Sequence, residues 1–218
     1  EPTLRWLDTL LHELGHAIYD DSVDKSLPWL LRTHSHTFTT EAVAMLHGRR
    51  ARDHVFLEKF AAVDPAVARH PANTNVARRD LLVFAAWVQV MTRFERSLYA
   101  DPGQDLVTTW WNQVERYQRL TRPEGIGRGD WAAKIHLTVA PVYYHNYLLG
   151  QMTASQLEAT LARELGAGSP AADPEAAGKL LRERFLRPGA RLRWDEHVES
   201  ATGSPLTAAA FTAELATS

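Results

Sequence analysis

The sequence predicts an all-α fold, and three observations indicate it. Apolar residues recur at helical spacing, as Leu7, Leu10, Leu11 and Leu14 do near the start of the chain. No stretch sustains the alternation of apolar and polar residues that is typical of a β-strand. Connections rich in proline and glycine separate the periodic segments. We therefore expect about six or more helices with short connections between them.

The first helix is predicted over about 3–20, because no proline interrupts its leucine stripe. A connection through Pro28 leads to a second helix, which either Thr39 or Thr40 can cap. We expect this second helix to end near Phe60.

The later elements follow the same signals. The stretch DPAVARHPANTN is predicted as a loop or a short turn. Helices are expected near 76–99, 103–120 and 131–150, and the Gly/Pro-rich stretch TRPEGIGRGD separates the last two. Three shorter helices complete the prediction: Ser155–Leu165, Pro174–Phe185 and the tail from about Pro205.

Composition restricts the class of protein. The 218 residues, 45% of them apolar and 23% charged, are typical of a soluble globular domain, either cytoplasmic or secreted. A formal net charge of −2 indicates no surface for nucleic acid. No apolar run is long enough for a membrane span. The absence of cysteine excludes disulfides and cysteine-ligated metals.

A metal-binding motif lies in the first predicted helix, in the stretch LLHELGHAIYD. Residues four apart share one face of a helix, so His12 and His16 can bind one ion. Glu13 can reach a water molecule on that ion and act as a general base. Gly15 favours this interpretation, because a glycine weakens a helix unless a neighbour packs closely there. The alternative is a chance pattern in an ordinary amphipathic helix.

Catalytic zinc usually takes three protein ligands. The position six residues after His16 is Ser22, which excludes the metzincin pattern. Glu41 follows His16 by 25 residues and would complete a set of two histidines and one glutamate. Alternatively, Glu41 is an acid at a helix N-terminus, favoured there by the helix dipole. The other candidate ligands are three histidines: His34, His36 and His47.

A second group of polar and aromatic residues lies within Asp130–Gly150. It contains His136, Tyr143, Tyr144 and Tyr147, and neutral donors of this kind can stabilise the oxyanion formed during peptide hydrolysis. The alternative is aromatic core packing.

The order of these pieces resembles the angiotensin-converting-enzyme family of dipeptidyl carboxypeptidases and, more loosely, the thimet and oligoendopeptidase families. The resemblance runs through LLHELGH, KSLPWLLR, WWNQVERYQ, AAKIH, the paired tyrosines and LLRERFLRPGARLRWDEHVESATGSPLTAAAF. It implies an α-helical gluzincin with a deep channel between two halves. Residues 1–218 would be the multi-helix C-terminal half of such a two-lobed zincin-type peptidase.

The resemblance also implies roles for single residues. Zn²⁺ would be bound by His12, His16 and Glu41, and Glu13 would activate the water. The remaining roles would be substrate backbone binding by His136, oxyanion stabilisation by Tyr147, and binding of the substrate carboxylate by Lys134 and Tyr144.

Some positions depart from the family pattern. The interval from His136 to the tyrosines is one residue longer, so Tyr143 is an alternative to Tyr144. Asn146 stands where a chloride-binding arginine is expected. Met45 replaces an aspartate that orients a zinc-bound histidine, and Asp20 is a possible substitute.

We therefore expect a zinc-dependent peptidase that removes dipeptides from the C-termini of short peptides. One alternative is an oligoendopeptidase that cuts short peptides internally, and another is a metal-free helical binding protein. We also expect a preceding N-terminal half, continuous or a separate chain. Four tryptophans are candidates for the surface facing it, although core packing is the alternative: Trp87, Trp110, Trp111 and Trp131.

Overall fold

The computed structural model describes residues 3–125, 127–166 and 168–216, without the side chain of Thr74. These residues form helices and contain no strand, which confirms the predicted all-α class. The helices in chain order are α1 Leu4–Ser22, α2 Thr37–Gly48, α3 His54–Phe60, α4 Pro65–Ala68, α5 Pro71–Ala100, α6 Leu106–Gln118, α7 Ile135–Thr138, α8 His145–Leu165, α9 Pro174–Leu181, α10 Trp194–Thr202 and α11 Ala209–Ala216. No helix among the described residues has the length and apolar character to cross a membrane.

The chain divides into two compact units. The first comprises the chain up to Ala77 and from Leu149 onward, and the second is Arg78–Leu148. The division falls within α5 and within α8.

The first unit is built around α2, which is buried over most of its length. α1 packs directly against it. Arg49, directly after α2, holds the C-terminal helix through an ion pair of 3.0 Å between its Nη1 and Glu214 Oε2 on α11. Its Nη2 donates to Gln151 and Ser155 on α8, so one guanidinium joins three helices.

The second unit has its own aromatic core. Val88, Val90, Met91 and Phe94 on α5 are buried against α6 and the tyrosines that follow α7. The four tryptophans that were candidates for an exposed surface belong to this core or pack against it. Trp110 is buried and the other three are partly buried around this core, so core packing explains them: Trp87, Trp111 and Trp131.

The prediction of the second helix was wrong about the residue that caps it and about its running unbroken to Phe60. His36, and neither Thr39 nor Thr40, caps α2, because its ring Nδ1 accepts from the Phe38 N–H. The helix also breaks before Phe60. Asp53 accepts from the backbone N–H groups of the next turn and so starts α3 as a separate helix.

The predicted loop DPAVARHPANTN is largely helical. Asp64 caps the short α4, and α5 begins at Pro71, several residues before the predicted 76. The prediction took the two prolines as loop signals. In the structure each is the first residue of a helix, a position where proline is favourable. In contrast, the described part of TRPEGIGRGD, without Ile126, has no helix before Asp130.

The helix predicted over 131–150 is interrupted. A 3₁₀ turn at Asp130–Ala133 and the short α7 precede a break, and α8 begins only at His145. Pro141 explains the break, because proline cannot donate within a helix and clashes with the preceding turn. α8 then continues unbroken to Leu165, so the predicted Ser155–Leu165 is its second half.

The C-terminal elements match in part. α9 continues into a π-helical turn at Arg182–Leu186, close to the predicted Pro174–Phe185. α10 was not predicted, although Glu196 in its first turn and the left-handed Gly203 after its end are ordinary helix signals. The tail helix, α11, begins at Ala209 and not at Pro205.

Candidate functional site

The two helices of the candidate metal site approach each other closely at Gly15. A Cβ atom on Gly15 would lie 2.6 Å from the Cα of Ala44 on α2, so only glycine fits. This confirms the expectation that a neighbour packs closely against Gly15. The contact brings the histidine face of α1 against the second turn of α2.

Three potential ligands meet at this crossing, and we call them the metal cluster: His12, His16 and Glu41. The Glu41 Oε2 atom lies 3.6 Å from His12 Nε2 and 4.0 Å from His16 Nε2. Zinc bonds of about 2.0–2.1 Å in tetrahedral geometry would place such atoms about 3.3 Å apart. The ligand atoms of all three residues lie within 4.8 Å of one another, so a modest approach of the side chains would let them bind one ion, and this donor set suits zinc.

The protonation state of His12 also suits a metal ligand. Burial lowers the pKa of His12, and the nearby charges of Glu13 and Asp8 oppose this effect in part. A neutral imidazole has the lone pair that a metal requires.

Thr40 orients the second histidine. Its Oγ1 lies 2.8 Å from His16 Nδ1, which leaves Nε2 directed at Glu41. Such contacts fix the ring orientation and tautomer of metal-binding histidines. The sequence suggested Asp20 for this role, and the contact that the structure gives is with Thr40.

Glu41 is positioned by burial and not by a helix end. It lies in the second turn of α2 and is only 3% exposed, and the first turn of α2 carries no acidic residue. The helix-dipole explanation therefore does not apply. A Cβ on Gly150 of α8 would lie 3.0 Å from Glu41 Cβ, so α8 packs tightly behind the ligand.

The other candidate histidines have different contacts. His36 caps α2, and His47 Nδ1 lies 2.8 Å from the Val43 carbonyl oxygen. His34 is half-buried, and its ring centroid lies 6.3 Å from that of Tyr19. In the described part of the chain, the group that can hold a metal ion is the metal cluster. Glu13 is exposed on the same helix, next to His12.

In the second unit, the structure brings four predicted residues together, and we call them the tyrosine–histidine cluster: His136, Tyr143, Tyr144 and Tyr147. The His136 Nε2 atom lies 3.1 Å from Tyr147 Oη. Burial, and then the charge of Lys134, lower the pKa of His136. A neutral imidazole can donate with one ring nitrogen and accept with the other, so His136 can form a hydrogen bond with Tyr147 in either direction.

Two residues of α5 support this cluster and were not predicted. Trp87 Nε1 donates to Tyr144 Oη at 2.7 Å. Glu95, which is 6% exposed, accepts from the Val142 backbone N–H at 2.5 Å. Val142 has a φ of 56°, which is costly for a β-branched residue, so Glu95 holds a strained turn just before the tyrosines. The sequence gives no local signal for either contact.

Lys134 lies on the surface at the start of α7, with its Nζ 5.1 Å from the centre of a Trp87 ring. It is exposed and occupies the N-cap position of this helix. Its ammonium group has a defined aromatic neighbour.

An apolar cavity of about 290 Å³ lies elsewhere in the first unit, between α2, α3, α8 and α9. Phe56, Phe60, Leu161 and Leu181 contribute to its walls, and none of the metal-cluster residues lines it. Two charged residues at its wall, Arg50 and Glu158, pair with each other.

The fold is similar to that of two crystal structures. The protein BsuCP matches with a TM-score of 0.73 and 20% identity, over 94% of this chain and 46% of BsuCP. The M32 carboxypeptidase from Deinococcus radiodurans R1 matches with a TM-score of 0.72 and 22% identity, over 96% of this chain and 47% of that enzyme. This chain therefore spans about half the length of each. The likeness supports the coarse part of the sequence resemblance, an all-α fold shared with a carboxypeptidase.

No protein-family model matches the chain, and no curated protein matches it.

Proposed function

We propose that the chain is the catalytic portion of a zinc-dependent peptidase that shortens peptides from their C-termini. The observation that carries this proposal is the metal cluster, three ligand atoms within 4.8 Å of one another on helices α1 and α2. The similarity of the fold to an M32 carboxypeptidase supports the same class of reaction.

His12, His16 and Glu41 would hold the zinc ion. When bound, the ion would polarise the scissile carbonyl and lower the pKa of a water molecule towards neutrality. Glu13 would then act as the general base, because its exposed carboxylate can accept a proton from the attacking water. It would return that proton to the amine of the departing product.

The tyrosine–histidine cluster would serve the substrate. We propose that Tyr147 donates a hydrogen bond to the oxyanion and that His136 binds the substrate backbone. Their contact of 3.1 Å supports a shared role, since each fixes the orientation of the other.

Lys134 and Tyr144 would bind the C-terminal carboxylate of the substrate, with one charged and one neutral donor. Tyr144, unlike a freely rotating phenol, is oriented by a hydrogen bond from the indole N–H of Trp87. We therefore favour Tyr144.

The size of the released product has two candidates. The sequence resemblance favours dipeptides, and the similarity to an enzyme named carboxypeptidase favours single residues. An oligoendopeptidase would ignore the free carboxylate, and a metal-free binding protein would cleave nothing.

We further propose that a preceding N-terminal half completes the enzyme, as a continuous segment or a separate chain. This chain spans about half of the two similar structures. Apolar side chains around the metal-binding helix are exposed, among them Trp6, Leu10, Trp29 and Leu30. Such residues suit a surface that another part of the protein covers.

The test uses this chain together with the N-terminal half proposed to precede it. We expect about one zinc per molecule by elemental analysis and release of C-terminal products from peptides by mass spectrometry. Glu13→Gln should keep the zinc and lower kcat by about 100- to 10,000-fold. Asp21→Asn, an exposed acid on the same helix, is the matched control and should leave kcat unchanged.

A Glu13→Gln variant with wild-type kcat would overturn the mechanism, and a zinc-free, inactive wild-type protein would overturn the function. Residues 1–218 alone should be inactive or self-associate. A fully active monomer of residues 1–218 by light scattering would overturn the proposed second half.

A further inference from the structure

Trp87 contacts both residues of the proposed carboxylate site with different parts of one indole ring. The edge of the ring, Nε1, donates to Tyr144 Oη at 2.7 Å. The face of the ring lies 5.1 Å from Lys134 Nζ. Trp87 itself is half-buried and packs edge-on against Trp110, with 5.7 Å between the ring centroids. The indole of Trp87 thus packs against the core through Trp110 and also contacts the hydroxyl of Tyr144 and the ammonium group of Lys134.

The hydrogen bond determines what the Tyr144 hydroxyl can do. An indole N–H can only donate, so Tyr144 Oη is the acceptor. Accepting this bond uses a lone pair of the oxygen and leaves the hydroxyl proton to be donated to another group. A hydroxyl that accepts a hydrogen bond becomes a better donor, because such bonds polarise one another. Tyr144 is therefore prepared to donate to an anion such as a carboxylate.

The ring face restricts Lys134. This side chain is exposed and would otherwise sample many rotamers. An ammonium group is attracted to the face of a tryptophan ring, and tryptophan is the aromatic residue that binds cations best. The contact is weak enough for the ammonium to turn to a carboxylate, yet it keeps the charge beside Tyr144.

We infer that Trp87 is a positioning residue that sets the preference for substrates with a free C-terminal carboxylate. It acts through Lys134 and Tyr144 and does not touch the reacting atoms. This inference rests on the proposed function, and it adds a residue that determines specificity.

The experiment compares cleavage of peptides with free and with amidated C-termini by this chain together with the N-terminal half proposed to precede it. Trp87→Phe keeps an aromatic face and removes the N–H donor. We expect KM for the free-acid peptide to rise about fivefold, as for the loss of one hydrogen bond. Because the carboxylate is bound in the ground state and in the transition state alike, kcat should change little. Cleavage of the amidated peptide should not change.

Trp87→Leu removes both the edge donor and the ring face, so the rise in KM should be larger than for Trp87→Phe. The matched control is Trp111→Phe, a partly buried tryptophan against the same core. If Trp87 matters only for packing, the Trp87 variants and Trp111→Phe should all impair cleavage of both peptides. If Trp87 is a positioning residue, only the Trp87 variants should raise KM, and only for the free-acid peptide.

A double-mutant cycle tests whether Trp87 acts through Tyr144. Tyr144→Phe should raise KM for the free-acid peptide, and adding Trp87→Phe should raise it little further. If Trp87→Phe does not fold, benzothienylalanine incorporated at position 87 gives the same test, since it keeps the shape of the indole without the N–H.

The outcomes separate the inference from the proposed function. A wild-type protein that cleaves both peptides equally would overturn the C-terminal mode of cleavage, and with it the inference. A wild-type preference that persists unchanged in Trp87→Phe and in the benzothienylalanine protein would overturn the inference alone.

Discussion

The metal cluster and the tyrosine–histidine cluster are held by different kinds of contact. The metal cluster depends on backbone packing, because Gly15 and Gly150 bring α1 and α8 against α2 where a larger side chain would clash. The tyrosine–histidine cluster instead depends on side chains of α5, which hold an interrupted segment by single hydrogen bonds.

The difference follows from what each cluster would have to do. A metal ion tolerates little variation in the positions of its ligands, and regular, closely packed helices provide it. Substrate-binding groups must admit and release a ligand, and segments with few backbone contacts adjust more easily. We expect substitutions at the first cluster to change metal binding and stability, and those at the second to change kinetic constants.

The largest effect should be on the rate, in the tyrosine–histidine cluster. Tyr147→Phe removes the donor proposed for the oxyanion, so kcat should fall by about 100-fold or more with little change in KM. Steady-state kinetics on one peptide measure both constants. Tyr117→Phe, packed against the same core, is the matched control. If KM alone changes, Tyr147 binds the substrate and does not stabilise the oxyanion.

The next effect should be on metal binding, in the metal cluster. Thr40→Val keeps the volume and removes the hydroxyl that contacts His16. Zinc affinity should fall by about 10- to 100-fold, as for other residues that orient a ligand. Competition with a chelating dye measures it. Thr160→Val, another buried threonine, should leave the affinity unchanged, and an equal loss in both variants would contradict the role of Thr40.

A smaller effect should appear in stability. Gly15→Ala places a methyl group 2.6 Å from Ala44 Cα, and relief of this overlap should lower the free energy of unfolding by about 1–3 kcal/mol. Denaturant titration with and without zinc measures the change. Gly178→Ala on α9, which has open space around it, should be neutral or slightly stabilising. A stabilised Gly15→Ala would show that backbone packing does not hold the metal cluster.

The smallest effect should come from Glu95→Gln. The amide oxygen can still accept from the Val142 N–H but without the charge, so the loss should be about 1 kcal/mol in stability. We expect kcat to fall only a few-fold, through the position of Tyr147. Glu115→Gln on α6, which is exposed, is the control. An unchanged stability and an unchanged kcat together would mean that Glu95 does not support the cluster.

The sequence anticipated the regular parts of the molecule better than the interrupted ones. Residues four apart, such as His12 and His16, lie on one face of any α-helix. Gly15 indicated a close contact with another helix, because glycine otherwise weakens a helix. Glu41 was expected to join them, and it lies within bonding reach of a shared ion. These predictions required only the local geometry of a helix and one assumption about a long-range contact, that of Glu41 with the two histidines.

The interrupted segment was harder to anticipate for two reasons. Pro141 was a readable signal that the helix over 131–150 must break, and the prediction gave it too little weight. Trp87 and Glu95 left no signal, because a residue on one helix contacts a turn about 50 positions away only once the chain has folded. The same holds for Thr40, whose role depends on how α1 crosses α2.

The seating of α8 behind Glu41 has a consequence for the order in which the chain folds. Contacts between residues close in sequence form faster than contacts across long loops. α1 and α2 can therefore pair early and bring the three ligands near one another. The helix that fixes Glu41 from behind arrives only about 110 residues later in the sequence. A chain still being made would thus carry its ligands in a loose arrangement, and the final geometry would be set when α8 closes against α2.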